Sequence, residues 1–438
     1  MLSSRWVEGR SGGPDDRAVR RAGVAVFVVF MLSGVDFASW ASRLPAVRDA
    51  LGLDPGQVGL LLFVGAIGSL VSLPLSGVVV DRIGERRTVV TFAVLCAVGL
   101  LTAALGAAAG VVAVVVVGLV LFGMGAGVWD AAMNLAGVAV EQRLGRSIMP
   151  RFHAGFSVGT MLGAGIGAVA AAVHASVLAH LAVVIVASTL AVAWAARSFL
   201  PIAPRHRVPT AVPAAGAGSG GREAPEAQQA APARAGAFAG WLEPRTLMIG
   251  LIVFGAALTE GSANDWVSLS VVDGFGTTHA GGALAFGLFV TAMTAMRLLG
   301  TALLDRYGRI PVLRLAAGFA VVGLLVFGLV PSLPIALVGV AFWGIGAALG
   351  FPVGMSAASD DPVRAAARVS VVSTIGYSAF LAGPPLLGLV ADHVGYRHAL
   401  LLIVIPVVAG LAVMRAAAPL RVPAVPEVPD GAAAAQAR

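Results

Sequence analysis

The chain has 438 residues, 58% of them apolar and only 12% charged, with a mean hydropathy of +0.92. A soluble domain carries roughly 25% charged residues, so this chain cannot clothe itself in a polar surface, which argues against a soluble enzyme. The net charge of +7 comes from arginine, since none of the 29 basic residues is lysine, and a basic balance can signal nucleic-acid binding unless a membrane explains where the arginines fall.

In chain order, residues 1–21 form a polar start read as a cytoplasmic tail, with no cleavable signal peptide evident. Twelve apolar runs follow, near 22–44, 56–80, 88–107, 110–140, 148–172, 176–198, 246–270, 279–304, 310–330, 334–357, 366–390 and 397–416, each long enough to cross about 30 Å of hydrocarbon. Nothing in a bilayer core satisfies a bare backbone, so the runs are predicted to be helices. Asp54-Pro55 and Thr278 stand where the second and eighth helices need caps. Cys96 lies inside an apolar run and offers neither a disulfide nor a CxxC site, which leaves helix packing as its role. Segment 199–243, with "PIAPRHRVPT" and "AAGAGSGGREAPEAQQAAPARAG", is too polar and too broken to pack and is read as a flexible cytoplasmic linker. It separates a six-helix half at 22–198 from another at 244–418, and residues 419–438 form a second cytoplasmic tail.

Arginine placement orients the chain. With the N-terminus inside, the inner connections hold Arg82, Arg86, Arg87, Arg143, Arg146, Arg151, Arg306, Arg309, Arg364 and Arg368, whereas the outer ones hold only Arg43, Arg48 and Arg397. Topology in the plasma membrane, with both termini cytoplasmic, accounts for the basic charge, and no nucleic-acid partner is needed.

The chain also repeats itself. "GVVVDRIGERR" around Asp81-Arg82 recurs 224 residues on as "TALLDRYGRIP" around Asp305-Arg306, and the same register carries Asp36 onto Glu260 and Asp54 onto Thr278. A second match, at offset 221, pairs Gly123 with Gly344, Gly125 with Gly346, Arg143 with Arg364, Gly155 with Gly376, and Ser157 with Ser378. Two pseudo-symmetric six-helix halves are the natural description.

These residues resemble the major facilitator superfamily of secondary transporters. Gly77, Asp81, Arg82, Gly84, Arg86 and Arg87 fit that superfamily's loop G-x-x-x-D-R-x-G-x-[RK]-[RK] between helices 2 and 3; in the second copy Thr301 stands where the glycine belongs. The stretches "FASWASRLPAVRDALGL", "WDAAMNLAGVAVEQRLGRSIMPRFHAGFSVGT" and "EGSANDWVSL" are similar to a bacterial branch near the fucose permease group. The resemblance implies an all-α fold of twelve helices with helices 1, 4, 7 and 10 around a central cavity. It also implies an acid in helix 1 and another in helix 4 for proton coupling and substrate binding, the helices that hold Asp36 and Asp130 here. Drug exporters of the superfamily carry an Arg before a G-x-G in helix 4 and a G-P-x-x-G-G in helix 5. This chain reads "VGLVLFGMGAG" and "GTMLGAGIG" there, which counts against drug efflux.

Within the runs, Asp36, Asp130, Glu260 and Asp265 are exceptional, with Asn134 and Asn264 nearby. Each mid-membrane charge costs roughly 2.5–3.5 kcal/mol on insertion scales, a cost that calls for a functional return. Asp36, Trp40 and Arg43 share one helix face, as do Asp130 with Asn134 and Glu260 with Asn264. Trp40, Trp129, Trp266 and Trp343 fall one each in helices 1, 4, 7 and 10, where carboxylates and amides beside indole faces would suit a neutral, sugar-like solute. Asp265 and Arg43, near outer helix ends, equally fit interfacial positions; Glu141 fits a pair with Arg143 or Arg146, Arg297 fits neutralising a buried acid, and His153 fits a helix end. Asp81, Arg82, Arg86, Asp305, Arg306 and Arg309 are the candidate gating residues, since a carboxylate at a helix end can bond a neighbouring helix N-terminus or an Arg.

"GFSVG" at 155–159 matches a nucleophile elbow only in letters, because Gly155, Gly159, Gly163 and Gly167 form a small-residue packing ladder in a helix. "GMGAG" at 123–127 has neither the strand nor the spacing of a dinucleotide fingerprint, and no P-loop or metal-ligand cluster is present. The sequence therefore predicts a monomeric secondary transporter without cofactor, which moves a small polar, sugar-like solute together with protons across the bilayer by alternating access, by symport. Proton-driven efflux of an amphipathic compound is the alternative, and a sensor or enzyme on the same scaffold stands behind it.

Overall fold

The computed structural model describes residues 14–144, 148–200, 240–361 and 364–420. The expected tails at 1–21 and 419–438, the linker at 199–243 and Arg146 lie wholly or largely outside these residues. Among the described residues, eleven helices are long and apolar enough to cross a membrane, and the shorter apolar stretch Tyr396–Ala412 follows them.

Spans 1 to 6 are built on Pro14–Ala41, Pro55–Ser72, Glu85–Ala109, Val112–Leu144, Met149–Ala172 and Val177–Ala195; spans 7 to 12 on Pro244–Phe275, His279–Tyr307, Arg309–Leu329, Leu333–Ala347, Ala365–Val394 and Val404–Ala412. Span 2 runs on through a short turn into Ser76–Ile83, and span 10 into Gly350–Ala358. After span 1 a turn at Ser42-Arg43 leads into the short helix Leu44–Leu51.

Local chemistry sets the ends of these elements. Asp54 caps span 2 reciprocally: the Gln57 N–H donates to its Oδ1 at 2.7 Å and its own N–H donates to Gln57 Oε1 at 3.1 Å. At the equivalent point of span 8, Thr278 Oγ1 accepts from the Gly281 N–H at 3.2 Å. Both D-R-x-G turns reverse on a glycine, Gly84 at φ 79° and ψ 159° and Gly308 at φ 80° and ψ 166°, a region essentially closed to other residues. Thr301 is tolerated because the matching Gly77 sits in open space, where a side chain meets nothing within 4 Å.

The duplication extends to the packing. Gly99 of span 3 lies against the Gly118 carbonyl of span 4, and Gly323 of span 9 against the Gly339 carbonyl of span 10. The Gly155, Gly159 and Gly163 ladder lies on the span 1 backbone at Phe27, Met31 and Val35, with Gly167 on Ser42, so "GFSVG" is helix-packing surface. Cys96 is buried against the span 4 backbone, with its Sγ 3.6 Å from the Phe122 carbonyl. The halves meet along spans 2 and 11 and along spans 5 and 8; Gly59 faces the Pro384 carbonyl and Gly388 the Pro55 carbonyl.

Candidate functional site

The mid-span acids fall into different environments. Asp36 is 3% exposed and lies inside the first half, toward Ser188 of span 6 and Cys96 of span 3, with one carboxylate oxygen buried and unpartnered. Arg297 Nη2, on span 8, donates to both Glu260 carboxylate oxygens, at 2.9 and 2.8 Å, and Nε of the same guanidinium donates to the Ala348 carbonyl at 3.3 Å. Arg297 thus neutralises the acid that the 224-residue register pairs with Asp36, and it sits within electrostatic reach of His153 on span 5. Asn264 and Asp265 are partly buried on span 7.

Asp130 differs from all of these. It is exposed although it stands midway along span 4, and the Asn134 amide donates to its carbonyl at 2.8 Å. Its carboxylate also meets Asn134 but forms no salt bridge with any Arg or His among the described residues. Tyr377, 53% exposed on span 11 of the other half, lies within electrostatic reach of it. The Tyr377 ring sits between Phe351 and Phe380, at centroid distances of 6.1 and 6.5 Å. Phe351 is the residue that offset 221 places opposite Asp130 in the repeat.

The structure buries the four tryptophans. Trp40, Trp129, Trp266 and Trp343 are at most 4% exposed, in the interiors of the halves. Trp343 donates to the Thr259 carbonyl at 3.0 Å and is wedged between Phe289 and Phe327, while Trp266 lies on Tyr396. The reason is helical geometry. Neighbours on a helix point about 100° apart, so Trp129 turns into the bundle when Asp130 faces out of it. An aromatic group less buried than the tryptophans is Tyr377 with Phe351 and Phe380, which the sequence reading passed over because it followed tryptophan alone.

At the D-R-x-G end, Asp81, Arg82, Arg86, Asp305 and Arg306 are exposed, and Arg306 lies over the Tyr307 ring. Arg309 is committed within the second half, to Asp360 at 3.1 and 2.9 Å and to the Ala417 carbonyl at 3.2 Å. Glu243, just before span 7, accepts from Arg364 at 2.9 Å and Arg368 at 2.6 Å at the start of span 11. The Arg368 bond, helped by Thr246 and Arg364, holds its carboxyl below the ordinary glutamate range. Glu141 caps span 5 by accepting from the N–H groups of Ile148 and Met149 at 2.7 and 2.9 Å, which the expected pairing with Arg143 or Arg146 did not include.

Polar bonds between the halves occur at the far end. Arg48 pairs with Asp273 at 2.5 Å and with Asp49 at 2.6 Å, and its guanidinium lies 5.7 Å from the Tyr396 ring centroid. The other Asp49 oxygen meets His279 Nε2 at 2.8 Å. Asp392, at the end of span 11, accepts from the Gly56 N–H at 2.9 Å in the first turn of span 2. The reading by charge count had used Arg48 for topology alone. A spacing signal was available for Asp392, because Asp392–Gly395 repeats the interval of Asp81–Gly84 and Asp305–Gly308, and Gly395 has the same φ of 78° and ψ of 159°. Arg43 donates to the Ala175 carbonyl at 2.6 Å, and Arg397 to the Phe327, Gly328 and Val330 carbonyls while stacking on Phe275. No three His, Cys, Asp or Glu side chains converge as a metal site among the described residues.

A sequence model described as Major Facilitator Superfamily matches residues 26–367 and, in a second placement, 249–437. An uncharacterized transporter, y4wD of Sinorhizobium fredii, is 31% identical over 84% of this chain and 90% of its own length. Membrane protein MosC of Rhizobium meliloti is 27% identical over 87% of this chain and 86% of its own length. Among solved structures, the D-xylose–proton symporter superposes with a TM-score of 0.68 at 14% identity, covering 91% of this chain and 97% of that one. The fucose:proton symporter FucP of E. coli gives 0.57 at 15% identity, covering 91% and 98%. At such identities these structural likenesses speak for the fold.

Proposed function

The chain belongs to the major facilitator superfamily and is a multi-pass membrane transporter of small solutes, and from that premise we propose that it moves a small polar, sugar-like solute by proton-coupled symport across the plasma membrane. The observation that carries this reading is Asp130. It is an exposed carboxylate midway along span 4, and Tyr377 of the other half lies within its electrostatic reach. Solvent reaches it although the far ends of the halves are bonded together by Arg48, Asp49, Asp273, His279 and Asp392. With the termini and the linker at 199–243 cytoplasmic, the far end is the outer end and access is from inside.

Alternating access then has a stated geometry. In the outward-open state the outer bonds release, and Asp81 at the end of span 2 meets the start of span 11 as Asp392 at the end of span 11 meets the start of span 2 here. Arg82, Arg86, Asp305 and Arg306, exposed at that end, would join the inner closure, and Arg309 with Asp360 braces the second half. Protons load on Asp130, with buried Asp36 behind it and Glu260 held in its pair with Arg297. Asn134, Asn264 and Asp265 complete the polar lining. The named solutes of the D-xylose and fucose symporters belong to those proteins; their shared chemistry, hydroxyl-rich solute with a proton, supports the same class here.

Uptake by purified protein in proteoliposomes, with and without an imposed inward proton gradient, tests the reading. Symport requires gradient-driven accumulation of a polyhydroxylated solute, abolished in Asp130→Asn. Accumulation of hydrophobic compounds against the gradient would assign efflux instead, and gradient-driven uptake that survives in Asp130→Asn would remove the proposed role of this residue.

A further inference from the structure

Asp49 stands between two bases, one from each half. Its Oδ1 accepts from Arg48 Nε and Nη2 at 2.9 and 2.6 Å, within the short helix Leu44–Leu51. Its Oδ2 meets Nε2 of His279, the first residue of span 8 in the other half, at 2.8 Å. Arg48 Nη1 in turn holds Asp273, at the end of span 7, at 2.5 Å. In this bonded chain one guanidinium answers two carboxylates, so the groups sum to one negative charge with a neutral imidazole and balance with an imidazolium. The neighbouring bases are committed elsewhere. Arg397 donates to the carbonyls of Gly274, Phe327, Gly328 and Val330, and Arg43 to that of Ala175. Nδ1 of His393 and of His398 lies on a carbonyl of the preceding turn. Asp54 and Asp392 both stand by Gly56, and Tyr396 lies under Arg48.

Position gives His279 no local reason to carry a charge. The 224-residue register sets it on Pro55, and each is the first residue of a capped helix, behind Thr278 in span 8 and Asp54 in span 2. Proline suits that place, and a cation there opposes the positive end of the helix dipole. With the halves apart, the helix start works against protonation; with them closed, the Asp49 carboxylate favours it. Imidazole is the side chain whose charge changes between about pH 5 and pH 8, and His279, partly exposed, stays in exchange with water. Resting on the alternating-access reading above, we propose that His279 is a second proton site, separate from the mid-span acids, through which acid on the outer side closes the outer end. The closed arrangement holds the proton more tightly than the open one, so by reciprocity the proton favours closure. That gain is complete on the acid side of the imidazole range and is lost as pH rises through it. Protons arriving from outside thereby help to shut the outer end as the inner end opens.

Pulsed electron resonance between spin labels at Val111→Cys and Pro331→Cys, in the outer connections of the two halves, reads the ratio of closed to open outer ends in the full-length protein. Between about pH 8 and about pH 5.5 that ratio should rise about threefold, the scale of an exposed ion pair. His279→Gln should remove the step and leave the ratio at its alkaline value, and Asp49→Asn should remove it too. His279→Arg should hold the acid value at both ends of the range. A step undiminished in His279→Gln, or no step in the wild-type protein, would overturn the proposal. The alternating-access reading fails separately: a single outer distance in every variant and at every pH would refute rocking of the halves, and the switch with it. Two distances whose ratio ignores pH would uphold rocking and refute the switch alone.

Discussion

Arg48 is the hub of the bonds between the halves, and on the proposed alternating-access reading its removal should shift the balance between the two states. Its side chain is 12% exposed and binds Asp49 and Asp273 while lying over Tyr396. Asp273 and Asp49 are 40% and 46% exposed, so water screens these pairs, and the pair across the halves is worth about 1 kcal/mol. The Tyr396 contact adds about 0.5–1 kcal/mol. Both are lost when the halves part at this end, whereas the Arg48–Asp49 bond stays within the first half and does not count. Arg48→Ala should therefore favour the outward-open state by about 2 kcal/mol, roughly thirty-fold at about 1.4 kcal/mol per tenfold.

The chain suits a distance measurement, since its one cysteine, Cys96, is buried. Spin labels at Val111→Cys and Pro331→Cys, in the outer connections of the two halves, report the outer separation by pulsed electron resonance. The ratio of long to short distances should rise about thirty-fold in Arg48→Ala, with Asp392→Asn giving a smaller shift, since it keeps an acceptor for the Gly56 N–H and loses only the charge at a helix start. An unchanged ratio in Arg48→Ala would show that the apolar packing of spans 2 and 11 holds this end closed and that the ionic cluster is incidental.

Three further outcomes follow from the geometry. Gly84→Ala should cost about 1–3 kcal/mol because of its backbone conformation, whereas Gly77→Ala, in open space within a helix, should be neutral or gain about 0.5–1 kcal/mol; reversible unfolding in detergent separates them. Glu260→Gln strands the Arg297 guanidinium and should destabilise by about 3 kcal/mol, while Glu260→Gln with Arg297→Gln should recover much of this in a double-mutant cycle. Glu243 has a depressed carboxyl, so its bonds to Arg368 and Arg364 stabilise above its ordinary value of about 4.3 and are lost as pH falls through the folded value. The melting gap between wild type and Glu243→Gln should be full at pH 7 and close progressively below about pH 4, and a gap independent of pH would show that Glu243 acts by packing.

The fold was legible in the sequence because a bilayer allows so few solutions. Run length, arginine asymmetry and the 224-residue repeat each depend on water, lipid and covalent history, and none needs knowledge of side-chain packing. The caps at Asp54 and Thr278 were legible for a similar reason, since a helix start needs a side-chain acceptor within three residues. The site was less legible. Which acid meets water depends on the rotation of each helix in its bundle. Asp36 and Glu260 occupy one register, yet the first is buried among spans 1, 3 and 6 and the second is held by Arg297. The tryptophans misled because a large amphipathic ring fills a bundle interior as readily as a cavity wall, as Trp343 does between Phe289 and Phe327.

The third D-x-x-G interval, at Asp392–Gly395, joins these observations. Asp81 and Asp305 follow from duplication, but Asp392 lies at the other end of the membrane and outside both registers. What the positions share is a carboxylate one turn before a glycine-led reversal, at a helix end where an acid favours a neighbouring helix start. Asp392 has such a start, at Gly56, and Asp81 is exposed at its own helix end. Spans 2 and 11 run along each other, each with an acid at its end, so under the proposed rocking of rigid halves both ends would not close together. On the proposed alternating-access reading, occupancy of the Asp392 contact would exclude an Asp81 contact at the start of span 11, and the pair would act as a two-position lock.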